Sequence, residues 1–329
     1  MLKDPHYRDK LSAKLVSSLY RSGQHYNNSL YDKPHLQFLC FTLSALEILG
    51  HADDKSIVKY VSSLRRFKFK ETEEHYKLNI GKPPSGNMAM FHAVINLYLI
   101  RNKININENS IFINDWLNYH KKSINRFGFW GSESGFCKYR NFQNGYHQWE
   151  IFSYLKEYPS GLNKAAEVIA SLQDKYGHFS PYPGGGGCYD YDAVFILLAH
   201  RKINSDYTYD EHLKLLLDTV IKEQNKDGGF CETKSFITGG KLNYKNILSH
   251  IPSSQFSISL ERFVEILKRT RYKHRKIHTH WSLYSRDWNE SNLWDAWFRV
   301  LTILRISHEL GLIKKINFRS ISFPGIGHF

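Results

Sequence analysis

Residues 176–200 read YGHFSPYPGGGGCYDYDAVFILLAH: an aromatic turn, four consecutive glycines, two aspartates and then an unbroken apolar run. A carboxylate suits the first turn of a helix, through capping and the helix dipole, and Asp190 fits that description. Asp192 is different. It stands directly against Ala193-Val194-Phe195-Ile196-Leu197, where an unpaired charge is costly. Burial favours the protonated carboxyl, the form a general acid needs, so Asp192 is expected as a general acid. His147 and Glu150, three positions apart in another apolar stretch, form the second acid–base candidate pair.

Gly184 to Gly187 follow Pro181 and Pro183 and predict an irregular turn leading into the aspartate helix. Unpaired N–H groups at a helix start attract anions, so a phosphate cradle is one reading of this loop. Two aspartates at the same helix start oppose it, no Gly-Lys-Ser/Thr follows, and a connector closing a tight corner is the expected role. Other apolar segments also begin with polar residues: His35 and Gln37; Asn87 and His92; Tyr146, His147 and Glu150; Glu290, Asn292 and Asp295. Singly these read as caps and core hydrogen bonds. Together they could ring the mouth of a cavity. Trp130, Trp149, Tyr189, Tyr191 and Trp294, with His92 and Asp295, are the expected substrate-binding residues, and Trp297 adds a further ring. Aromatic faces can stabilise a cation, stack on a sugar or simply pack.

The elements that must position these residues repeat. Arg126-Phe127-Gly128-Phe129-Trp130, Lys175-Tyr176-Gly177-His178-Phe179 and Lys226-Asp227-Gly228-Gly229-Phe230 recur at intervals of 49 and 51 residues, enough for a pair of helices. Before each turn lies an amphipathic segment, such as Leu213, Leu216, Leu217, Val220 and Ile221, or Ala165, Val168, Ile169 and Leu172, or Ile113, Trp116 and Leu117. These predict outer helices. Leu36 to Leu49, Met88 to Ile100, Trp149 to Leu155, Ala193 to Ala199 and Leu293 to Ile306 are apolar on nearly every side and predict inner helices, with Ser257 to Leu267 as a sixth. The expected architecture is all-α, an (α/α)6 toroid-like barrel, with an open solenoid of helical hairpins as the competing arrangement. Strand signals are poor throughout: Gln255 to Ile258 and Ile316 to Phe323 alternate briefly, but both stretches are short. Residues 1–329 are expected to form one domain with a tail from about 314.

The turns Gln173-Asp174-Lys175-Tyr176-Gly177-His178-Phe179 and Gln224-Asn225-Lys226-Asp227-Gly228-Gly229-Phe230 resemble the Gln-x-x-x-Gly-x-Phe/Trp repeat of the squalene cyclase and prenyltransferase superfamily. Asp190-Tyr191-Asp192 is similar to the first three positions of the Asp-x-Asp-Asp motif of its proton-initiated cyclases, with Ala193 where the last aspartate would be. That resemblance implies proton donation by Asp192 to an alkene or epoxide, with Asp190 in a supporting role. Other members hold zinc through Asp, Cys and His. Cys188, Asp190 and His147 are the corresponding candidates here, but Cys188-x-Asp190 reverses the family's order, and no metal is favoured. The pair His278 and His280 sits among lysines and arginines that disfavour a cation. No other cofactor is specified.

With 42% hydrophobic, 15% aromatic and 23% charged residues, the chain can bury a large core. A net charge of +14 favours an acidic partner: an anionic small molecule, an anionic glycan or a membrane face. Nucleic acid is not expected, because the basic clusters at 65–70 and 268–276 accompany no nucleic-acid motif. The absence of a signal-like N-terminus and of an apolar run of about 20 residues predicts a cytoplasmic protein with peripheral membrane contact as an option. Cys40, Cys137, Cys188 and Cys231 form no Cys-x-x-Cys pair and suit a reducing compartment. The expected function is a cavity enzyme acting on an isoprenoid-type substrate by acid catalysis. The alternatives are a toroid enzyme acting on an anionic glycan and a non-catalytic scaffold in a biosynthetic complex.

Overall fold

The computed structural model describes residues 4–64, 67–82, 84–134, 136–238, 241–270, 275–278 and 283–314. Its repeated turns fold into closely similar corners. In the first, Asn125 Oδ1 accepts from the N–H groups of Phe127 and Phe129, at 3.0 and 3.1 Å. Asp174 Oδ1 does the same for Tyr176 and His178, both at 2.9 Å. In the third, Asn225 N–H donates to the Gly229 carbonyl and Gly228 N–H to the Asn225 carbonyl, both at 2.9 Å. The amides of Gln173 and Gln224 donate to the carbonyls of Gly177 and Gly228, which accounts for the glutamine of the repeat. Gly128, Gly177 and Gly228 have φ of 76°, 104° and 83°, a region open chiefly to glycine. Each corner then drops Phe129, Phe179 or Phe230 into the core, worth roughly 1.5–3 kcal/mol apiece.

These corners link two rings of helices. The inner ring comprises α2 (Lys33–Leu49), α5 (Ser85–Arg101), α7 (Lys138–Leu155), α9 (Gly187–Asn204) and α13 (Leu293–Glu309). Each packs against the next, from α2 through α13. Phe41 of α2 meets Trp294 and Trp297 of α13, with ring centroids 6.0 and 6.1 Å apart, and so brings the last inner helix back to the first. Around them lie α1 (Pro5–His25), α3 (Lys55–Ser63), α4 (Phe69–Tyr76), α6 (Ile106–Lys122), α8 (Leu162–Leu172) and α10 (Asp210–Lys222). The expected amphipathic segments are these outer helices: Trp116, Leu172 and Leu216 are fully buried along their inward stripes. The fold is an all-α toroid.

One expectation is corrected. Ser257 to Leu267 is not a sixth inner helix; it forms most of α12 (Phe256–Arg269), which follows α11 (Tyr244–His250). α12 buries only the narrow stripe Ile258, Arg262 and Ile266. Arg262 donates to the carbonyls of His250, Pro252 and Leu172 and to the Tyr139 hydroxyl, fastening α12 over the start of α7. The inner ring among the described residues therefore has five helices. Two antiparallel ribbons, β1 (Ile237–Thr238) with β2 (Lys241–Leu242) and β3 (Arg275–His278) with β4 (Leu283–Arg286), are the described strands. The tail from about 314, the alternation at Ile316 to Phe323, the side chains of the His278 and His280 pair, and parts of both basic clusters lie outside the described residues.

The tetraglycine corner is packed, not open. Gly184, Gly185 and Gly186 are buried with φ of 83°, 92° and 63°. A Cβ on Gly185 would lie 2.5 Å from both Asp190 Oδ2 and His178 Nδ1, so this loop faces a carboxylate and cannot cradle a phosphate. Gly185→Ala is expected to cost about 2–5 kcal/mol, from strain at positive φ and from overpacking together. Gly228→Ala shares the positive φ but meets nothing within 4 Å, so it should cost only about 1–2 kcal/mol. Thermal midpoints of the two variants measure the difference.

Candidate active site

The two aspartates, two residues apart at the head of α9, enter different surroundings. Asp190 is fully buried in a knot of charges. Its Oδ1 accepts from Phe179 N–H at 2.9 Å; its Oδ2 meets His178 Nδ1 at 2.8 Å and Arg299 NH1 at 2.5 Å. Arg299 of α13 also donates to the Gly184 carbonyl at 2.8 Å, and His178 Nε2 meets Glu223 at 3.1 Å. Burial alone would raise the Asp190 carboxyl, but His178, Arg299 and the Phe179 N–H together hold it below the usual carboxylate range. Burial likewise opposes a charged His178, yet Glu223 and Asp190 on its two sides hold its ring well above the usual histidine range. This knot ties the second repeat turn, the glycine corner and the last inner helix into one unit.

Asp192 is 5% exposed and makes no hydrogen bond or ion pair among the described residues. Burial first, then the charges of Glu150 and Asp190, push its carboxyl well above the ordinary range. Glu150 on α7 is fully buried and is raised by burial too, with His147, Tyr146 and Arg305 pulling the other way. His147 Nδ1 is 3.7 Å from Glu150 Oε2, close but not a hydrogen bond. Both Glu150 oxygens, the Tyr146 hydroxyl and His147 Nδ1 lack hydrogen-bond partners, whereas His147 Nε2 is held by the Asn87 amide of α5 at 2.7 Å. Arg305 of α13 donates to the Tyr191 hydroxyl at 3.2 Å and lies over the Phe195 ring at 4.7 Å. Buried polar groups normally find partners. Here α7 supplies a set that has not, facing a carboxyl of α9 that is biased toward its protonated form, with α5 and α13 alongside.

The other expected residues divide by position. Tyr191 belongs to this cluster, packed against Tyr146 and Phe298. Trp294 stands at the ring closure with Phe41. Tyr189 is buried against Phe142 and Tyr182, towards a cleft beneath α12. Asp295 is at the start of α13, capped by Asn292, whose Oδ1 accepts from its N–H at 3.0 Å. Trp130 stacks on Phe152 and lies tilted against Trp149, and each tryptophan donates its indole N–H to a backbone carbonyl. They lie between the rings. So does His92, buried among Phe67, Tyr76 and Phe112, where burial lowers its ring to about 4.

Cys188, Asp190 and His147 do not form a metal site. Among the described residues no three His, Cys, Asp or Glu side chains converge as metal ligands. The donors explain why: Asp190 is committed to His178 and Arg299, while His147 holds Asn87. Lys33 of α2 lies near Cys188; burial lowers its ammonium, with the thiol's charge partly opposing. Sequence reasoning missed Arg299 and Arg305. The signal was present, since both interrupt the apolar run of α13 as Asp192 heads that of α9.

The model of the prenyltransferase alpha-alpha toroid domain matches residues 21–236, a stretch that includes four of the five inner helices and all three repeat turns. No curated protein and no solved structure matches the chain.

Proposed function

Since the chain belongs to the prenyltransferase alpha-alpha toroid family, we propose that it acts on an isoprenoid-type substrate by acid catalysis, with Asp192 as the proton donor. The supporting observation is the Asp192 carboxyl itself: buried, without a hydrogen-bond partner among the described residues, and biased toward the neutral acid by burial and by Glu150. In the proposed step the O–H bond of Asp192 breaks as its proton forms a C–H bond with one carbon of a substrate alkene, using the π electron pair. The neighbouring carbon becomes cationic and Asp192 becomes a carboxylate. Tyr146, Tyr191 and Phe195 offer aromatic faces to that cation. Loss of a proton or addition of water then ends the reaction. Protonation of an epoxide oxygen would begin it equally well.

The test is incubation in deuterated water with polyprenyl alcohols, diphosphates and epoxides of graded length, followed by mass spectrometry. One product carrying solvent deuterium at a carbon that was part of a double bond supports protonation. Turnover without deuterium at carbon, from a substrate with no epoxide, would sink it.

A further inference from the structure

α2 and α13 each present an apolar stripe beside the place where they meet. On α13, Leu293, Trp297 and Val300 are 90, 38 and 43% exposed, and their spacing of four and three residues puts them on one side of the helix. Phe298 and Arg305, seven residues apart, carry a different side, which meets Tyr191 of α9. On α2, Phe38 and Phe41 are half-buried and Ile48 is 40% exposed, again along one side. The two stripes flank the seam at which Phe41 touches Trp294 and Trp297. α1 packs against α2 and α10 against α13, yet Leu293, Trp297, Val300 and Ile48 remain open to solvent. Single exposed apolar residues need no explanation, but two adjoining stripes do.

The chain itself holds a segment suited to them. α13 ends at Glu309, and residues 315–329, KINFRSISFPGIGHF, begin just beyond it, outside the described residues. Ile316 and Phe318, then Ile321 and Phe323, stand two apart, the spacing that turns extended side chains to one face. Pro324, Gly325 and Gly327 disfavour a helix there. α13, with 17 residues, is about 25 Å long, whereas the 15 residues of the segment reach up to roughly 50 Å when extended. The segment is therefore long enough to run back along the whole of α13.

We propose that residues 315–329 fold back over the seam and cover the stripes of α2 and α13, a strap that fastens the last inner helix to the first. The tether favours this occupant over a second copy of the chain. A segment joined to α13 through Leu310 to Lys314 meets the seam at an effective concentration on the order of millimolar. A second copy would have to be that concentrated to compete, and it would bring together two chains of net charge +14. The strap does not depend on the reaction at Asp192.

Photo-crosslinking tests the proposal on the full chain. With Phe323→p-benzoylphenylalanine, irradiation should join the segment to residues of α2 or α13 within one chain, as read by peptide mass spectrometry. Trypsin supplies a second measurement, since Arg319 is a cleavage site that docking shields. Leu293→Asp/Val300→Asp changes exposed side chains only. It should speed cleavage after Arg319 about tenfold or more with an unchanged circular dichroism spectrum, because proteolysis follows the fraction of time the segment is released. Crosslinks that are absent, that fall outside α2 and α13, or that join two chains overturn the proposal. So does cleavage after Arg319 that is equally fast in the wild type and the double variant.

Discussion

Asp192→Asn should leave the thermal midpoint unchanged or higher and lower turnover at least a hundredfold, the lower end of what a general acid contributes. The asparagine keeps size and shape but removes the acid. No hydrogen bond among the described residues is lost, because Asp192 makes none there, and a carboxyl that resists ionisation in place is removed. The sign with pH follows. A carboxyl whose folded pKa lies above its unfolded value contributes stability that is fully present below the unfolded value and is lost as pH rises through the folded one. Wild-type activity should fall over the same alkaline-going interval, because the donor loses its proton, and the stability curve of Asp192→Asn should be flatter there. Paired pH–rate and pH–melting profiles measure both. A fully active Asp192→Asn would move the donor elsewhere, with His147 and Glu150 the next pair to examine.

Asp190→Asn and Arg299→Met should fail in the opposite way, by unfolding rather than inactivation. Removing the Arg299 guanidinium leaves Asp190 fully buried beside His178 and strips a donor from the Gly184 carbonyl. Breaking one side of a buried ion pair costs about 3–5 kcal/mol, a large part of a typical total of about 5–15 kcal/mol. Denaturant midpoints should fall accordingly. The double variant should lose less than the sum of the two single changes, since each removes the partner the other strands. The knot also limits the pH range. Asp190 and His178 are shifted in opposite directions, so the Asp190 contribution is present above its unfolded value and lost as pH falls, whereas that of His178 is present below its unfolded value and lost as pH rises.

The scaffold was legible because period and polarity are local properties. Fifty-residue spacing between glycine corners, one-sided stripes such as Leu213 to Ile221, and runs such as Ala193 to Ala199 identified outer and inner helices without any partner being known. α12 reads as a ring helix from the sequence alone because an apolar stripe does not say which side it turns to the protein. The site was half legible. Asp192 and Glu150 stood out as carboxyls in apolar company, but nothing in the spacing of Asp190 and Asp192 says that one is surrounded by cations and the other is not. That depends on Arg299 and His178, 109 and 12 residues away from Asp190. Trp130 and Trp149 illustrate the same limit: an aromatic ring at the right height on a helix can face the centre or the space between the rings.

The meeting of Phe41 with Trp294 and Trp297 joins segments about three-quarters of the chain apart, and loop entropy favours an order of assembly. Closing a loop costs more entropy the longer it is, whereas each hairpin of outer and inner helix closes a short one. Neighbouring pairs can therefore form from local contacts as the chain emerges, and the aromatic seam, having the longest loop to close, is the last to dock. Until it does, α2 and α13 are the two open edges of a curved sheet of helices, with their apolar sides in water. The seam is thus where a slowly folding chain is most exposed to aggregation, and where a helper that shields aromatic surface during synthesis would do most good.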